Sequence, residues 1–214
     1  MANSNGAFGL RPIGKVGQNS NSNGMSGYSF YEIASDNSNA IYQGSPVIPL
    51  STGYIDIVGA AAGGTVGLLG AFWGCEYVSS TSGETVFKNY WPGSGADSNH
   101  PVKAFVYDDP LQLYLIATDA SWTNKATARA AVFANANFSS GTSGSTTTGL
   151  SSAALAISTI NTTANLNLRI MGWQDDPENV DFGASGVGAV VRLNNQFNSP
   201  NGAIAGGTVS TTGV

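Results

Sequence analysis

The sequence predicts an all-β fold: an antiparallel sandwich or barrel-like domain with one short helix near 123–133 and extended terminal arms. Short apolar runs, several alternating with period two, recur between clusters of Gly, Ser, Asn and Pro. Only one stretch has helical character. A length of 214 residues suits a single sandwich or barrel and is enough for a core without disulfide or metal staples. The expected organisation is an N-terminal arm over 1–28, a β domain over 29–197 and a glycine-rich tail over 198–214.

The elements follow in order. Residues 1–28 hold one apolar cluster, Phe8 to Ile13, ahead of the polar run Gly17 to Gly24. This reads either as a low-complexity terminus or as an arm that orders when Phe8, Leu10 and Ile13 dock on a neighbour. Strands are expected at Tyr28 to Ile33 and Ala40 to Gln43. Pro46 to Leu50 should be an edge or an irregular crossing, because each proline removes a ladder donor. Tyr54 to Val58 alternates with period two. Ile57 to Trp73 is apolar, but its glycines make a poor helix and it is too short to span a membrane. It reads as two buried strands joined by a turn at Gly63-Gly64. The second of these, Val66 to Tyr77, is long enough to carry bulges at its glycines, and Ser79 to Gly83 should turn into Glu84 to Trp91.

Pro101 to Tyr107 and Leu111 to Ala117 flank the turn Asp108-Asp109-Pro110, with Leu111, Leu113 and Leu115 on one face of the second strand. Thr123 to Phe133 is Ala-rich, with Thr123 or Ser121 placed as N-cap. Ser139 to Gly149 reads as a loop. Strands at Ala154 to Ile160, Leu166 to Trp173 and Gly186 to Phe197 complete the set.

Composition narrows function. Charged residues are 10% of the chain, against roughly 25% in an average domain. Gly, Ser, Asn and Thr together fill 90 of the 214 positions, while hydrophobic residues hold 42%, so the chain is not of disordered type. A single Cys excludes a disulfide framework. The net charge of −5 argues against nucleic-acid binding, which needs a basic face to replace counterions. The first residues lack a basic and apolar leader, so synthesis in a cytoplasm without export is expected. No membrane association is expected either.

Candidate chemistry is sparse. His100 is the lone histidine and lies in a turn-like loop, and no Gly-x-Ser-x-Gly elbow occurs. Cys75, on an apolar strand, reads as a small hydrophobe. Asp175, Asp176, Glu178 and Asp181 gather four carboxylates and are the one weak calcium candidate. They lack the Asp-x-Asp-x-Asp-Gly pattern, and Asp before Pro initiates turns in any case, so no metal or cofactor is expected. Trp73, Trp91 and Trp122 are candidate interface aromatics, with core filling as the alternative.

Six stretches carry a family resemblance: Ala7 to Pro12, Gly44 to Val47, Phe72 to Tyr77, Asn89 to Gly93, Arg169 to Gly172 and Val191 to Asn195. Together they resemble small structural proteins of tailed bacteriophages, of the marine and cyanobacterial kind. The resemblance implies a virion component without catalytic residues, most plausibly a capsid decoration (cement) protein. Its partners would be the major capsid protein and further copies of itself, with a trimer as first expectation. Phe8, Leu10, Arg11 and Ile13 would form the docking arm, Arg11 supplying a charge-assisted bond. The alternative is a receptor- or glycan-binding tail or head-fibre module, which Trp91 and Trp122 exposed in loops would favour.

Overall fold

The computed structural model describes residues 3–17, 27–59 and 67–199, together with the backbone of 203–204 and 208–209. The turn expected at Gly63-Gly64, the run Gln18 to Gly24 and most of the tail lie outside these residues. Strands are β1 (Arg11–Lys15), β2 (Ser29–Ile33), β3 (Pro46–Pro49), β4 (Ile55–Ile57), β5 (Gly70–Val78), β6 (Thr85–Lys88) and β7 (Val102–Tyr107). They continue as β8 (Gln112–Ala117), β9 (Asn135–Ser139), β10 (Ala154–Asn161), β11 (Leu168–Trp173) and β12 (Gly188–Leu193), then the short pair β13 (Ala203–Ile204) and β14 (Thr208–Val209). One helix, α1 (Lys125–Ala130), interrupts them. Among the described residues 43% are strand and 3% helical, an all-β sandwich with one short helix and no closed barrel.

The first sheet runs β1-β8-β12-β11-β9-β10, and the second runs β2-β7-β5-β3-β4 with β6 also on β5. All ladders in both sheets are antiparallel. Two apolar clusters form. One lies between the sheets, where Tyr114, Ile116, Leu168, Ile170 and Val191 of the first meet Ile48 and Ala71 of the second, with Trp122, Ala128 and Phe182 packed in. The other fills the opposite face of the second sheet with Val47, Ile55, Ile57, Phe72, Cys75, Val102, Ala104 and Val106. Residues of β2 and β4, the two ends of that sheet, approach each other, so the sheet curls around its own cluster without closing. Val47 and Ile48 point to different clusters because strand side chains alternate.

Several expectations need correction. The β domain begins earlier than residue 29, since β1 pairs with β8 from Arg11 to Lys15. The strand Pro46 to Pro49 is neither an edge nor irregular: it lies between β4 and β5. Its prolines are its first and last residues, so the missing donors fall at the strand ends, where they are tolerated. The two strands flanking the turn Asp108-Asp109-Pro110 belong to different sheets, and β3 separates the strands on either side of 60–66. On β8 the inter-sheet core takes Tyr114 and Ile116, while on the leucine face Leu111 is exposed and Leu115 is buried.

The helix is shorter than 123–133. Its N-cap is Asn124, whose side chain accepts from the Thr127 N–H at 3.0 Å, displacing Thr123 and Ser121 from that role. It stops early because Phe133 takes a left-handed φ of 73° and donates its N–H to Ile170 O at 2.8 Å, outside the helix. The segment Asn135–Ser139, not expected as a strand, is β9.

Candidate functional site

The outer face of the second sheet is the most unusual surface among the described residues. It arises from register. β2 and β7 pair Phe30 with Phe105 and Glu32 with Lys103, so aromatic residues at alternate positions share one side. On that side Tyr28, Phe30, Phe105 and Tyr107 form a network of edge-on and tilted rings with centroids 5.4–6.1 Å apart. Trp73 joins it through Tyr107, at 5.3 Å and 83°.

A bulge makes this possible. Phe72 and Cys75 lie three residues apart yet both enter the inner cluster, which a regular strand forbids. The register against β7 shifts between Phe72 and Gly74, and the extra residue, Trp73, turns outward. Gly74 stands opposite Phe105, and a methyl group there would approach the Phe105 ring at 3.7 Å and Lys88 O at 3.0 Å. Phe87 on β6 pairs with Glu76 and extends the patch to six aromatics. Phe30 is 57% and Phe87 68% exposed; a cluster of exposed aromatics of this kind marks an interaction surface.

The patch holds little net charge. Lys103 Nζ lies 4.3 Å from the Phe30 ring centroid and 3.9 Å from Glu76 Oε2. Its cation is therefore shared between a ring face and a carboxylate. At the sheet edge Asp108 accepts from Ser29 Oγ at 2.9 Å and from Tyr31 Oη at 2.6 Å. Burial, reinforced by the Asp108 bond, pushes the Tyr31 phenol up to about 12.

The other candidates fall as follows. Of the three tryptophans only Trp73 reaches the surface. Trp91 is fully buried, packed edge-on against Tyr77 at 5.3 Å, and donates from Nε1 to Asn37 O at 3.2 Å. Trp122 is buried against Trp173 at 5.1 Å. The expectation of Trp91 and Trp122 as interface residues is thus corrected: both are core residues. In the N-terminal segment Leu10 is buried between the sheets of its own chain and cannot be offered to a neighbour from there. Gly9 N–H bonds Ala153 O at 3.1 Å and Leu10 N–H bonds Gly44 O at 2.8 Å. Arg11 and Ile13 are exposed, and the Arg11 guanidinium covers the Phe8 ring at 5.2 Å.

The acidic turn is a clasp for the chain start. Asn3 Nδ2 donates to Asp181 O at 2.9 Å and Ser185 O at 2.8 Å, and Asp181 N–H returns a bond to Asn3 Oδ1 at 3.0 Å. Asp176 accepts from Glu178 N–H and Asn179 Nδ2. Asp175, Asp176, Glu178 and Asp181 do not converge: among the described residues no group of three or more such side chains could hold a metal.

Cys75 is fully buried, and burial pushes its thiol up to about 12, so it stays protonated. His100 is exposed, 3.6 Å from Asp97, whose carboxyl is held below its usual range chiefly by the Asn99 N–H. A cleft of about 430 Å³ beside Asn39, Tyr42, Thr142 and Ser143 is lined by amides, hydroxyls and aliphatic groups, without a carboxylate, imidazole or thiol. No helix among the described residues is long and apolar enough to cross a membrane.

Comparison with protein-family models, curated proteins and solved structures finds no match.

The aromatic face escaped the sequence reading, although its signal was present. Tyr28/Phe30 and Phe105/Tyr107 are both aromatic pairs at i, i+2, which places each pair on one side of its strand.

Proposed function

We propose that this protein is a capsid decoration protein of a tailed phage, which binds the outer surface of the head and holds neighbouring capsomers together. The observation that carries the reading is the six-aromatic outer face of the second sheet. Its rings meet edge-on or tilted, so they form an uneven apolar relief rather than the coplanar platform on which sugar rings stack. Its one cation is already engaged, which suits an apolar protein surface better than a polyanion. A charge-poor exterior fits many copies crowded on one shell, because accumulated like charge would oppose assembly. Weak contacts made by several copies then add through multivalency. Leu10 belongs to the core, so docking falls to the aromatic face rather than to a free arm. The fibre-module alternative has lost the loop tryptophans that would have favoured it.

The test is co-sedimentation of purified protein with heads that lack it, comparing wild type with F30S/F87S. Burying two exposed phenylalanines contributes about 3–6 kcal/mol, so the variant should lose shell occupancy while keeping the wild-type circular dichroism spectrum. Equal occupancy by a folded variant removes the aromatic face from the reading. Failure of the wild type to bind any head removes the decoration role.

A further inference from the structure

The first sheet has an electrostatic asymmetry that the aromatic face does not explain. Its six strands carry Arg11, Lys15, Arg169 and Arg192, half of the chain's 8 Lys and Arg, and none of its 13 Asp and Glu. Arg169 and Arg192 stand directly opposite each other on β11 and β12, a position in which like charges destabilise a sheet. Arg169 is oriented by Asn135 on the next strand, whose Oδ1 accepts from Arg169 Nε at 3.1 Å. Arg192 Nε is buried and has no hydrogen-bond partner among the described residues. Burial, and then the Arg169 charge, lower the Arg192 pKa below its ordinary value.

The nearby carboxylates are committed elsewhere. Asp109 binds Lys15, and Asp108 is held by Ser29 and Tyr31. The acidic turn follows Trp173 at the far end of β11, four residues and roughly 13 Å along the strand from Arg169. Arg11 shares the outward face: it pairs with Leu115, which pairs with Val190, two residues before Arg192. Two strand spacings separate β1 from β12, about 10 Å.

We infer that Arg169 and Arg192 form an oxyanion-binding site on the outer face of the first sheet, and that its ligand is an acidic protein segment. The planar guanidinium forks suit bidentate carboxylate recognition, and an anion between them relieves their repulsion. Arg11 supplies a second contact about 12 Å away, counting the two-residue offset along β12, a spacing matched by same-side carboxylates four residues apart in an extended segment, about 13 Å. A protein ligand is favoured over nucleic acid because three arginines are too few for the extended basic face that replaces the counterions of a duplex. The site is on a different sheet from the aromatic face, so neither depends on the other.

The test is fluorescence anisotropy with labelled hexaglutamate at low ionic strength, with a short DNA duplex as a second probe. The expected result is salt-sensitive peptide binding to wild type. Loss of two charge-assisted contacts should weaken it about tenfold or more in R169Q/R192Q, leave it unchanged in the helix variant K125Q, and weaken it less in R192K, which keeps the charge and loses the fork. The double variant should melt no lower than wild type, since it removes a repulsion. Any one of four results overturns the inference: no peptide binding at millimolar concentration, equal binding by the double variant, equal weakening by K125Q, or tighter binding of the duplex than of the peptide.

Discussion

The two sheets handle their surfaces in opposite ways. The first places its apolar residues inward, against the second sheet and α1, and shows arginines and no strand carboxylates outside. The second is apolar on both faces. One face curls around a private cluster, and the other packs Ile48, Ala71 and Tyr107 against the first sheet and presents aromatic rings to solvent beyond that contact. The curled cluster uses one face of the second sheet and the inter-sheet contact only part of the other, so the remainder is left exposed, whereas the first sheet keeps its inner face for the core. The inter-sheet cluster and the curled cluster share no residue, so each can be damaged separately.

The largest expected effect is on the curled cluster. Trp91 has no exposed surface, lies edge-on to Tyr77 and is pinned through Nε1 to Asn37 O. Trp91→Ala should lower the unfolding free energy by about 3–5 kcal/mol, the range for a buried tryptophan, measured by urea titration. A loss under about 1 kcal/mol would show that the loop bearing Trp91 is not part of that core.

The inter-sheet cluster is probed by Leu10, and the answer also fixes what the N-terminal segment is. Leu10→Ala should cost about 2–5 kcal/mol, in the same titration, because the side chain is enclosed between the sheets. Residues of a free arm would cost almost nothing. Gly9 explains why the segment seats so closely: its φ is +75°, and a methyl group would meet Gly44 O at 2.6 Å.

Strand positions were legible in the sequence and sheet membership was not. Period-two alternation tells which residues share a side of a strand, but both sides of the second sheet are apolar, so parity alone could not say which side faces which core. Leu111, Leu113 and Leu115 pointed to one face of β8, yet Tyr114 on the other face seals the core by donating its hydroxyl to Tyr107 O at 2.8 Å. Asn135 to Ser139 was missed because asparagine is depleted in strands. Here Asn135 is buried and satisfied by Thr163 O and Arg169 Nε, partners far off in sequence. The tryptophans looked like surface candidates because composition cannot distinguish a ring at a loop tip from one folded beneath it.

The smallest effect lies at the junction of the two sheets. Asp109 follows β7 of the second sheet and pairs with Lys15 on β1 of the first. Partial burial opposes its ionisation, but the Lys15 bond and the Leu111 N–H outweigh it and hold the carboxyl below its ordinary value. A carboxyl with a depressed folded pKa stabilises the fold above its unfolded value, about 3.9, and loses that contribution as pH falls through the folded value. Both partners touch solvent, so screening limits the pair to about 0.2–1 kcal/mol. Asp109→Asn keeps the acceptor for Leu111 N–H and removes only the charge. Urea titration should find the variant less stable than wild type at pH 7, with the gap closing as pH drops below about 3.5. A gap that persists undiminished at low pH would mean that Asp109 holds the sheets together by shape rather than by charge.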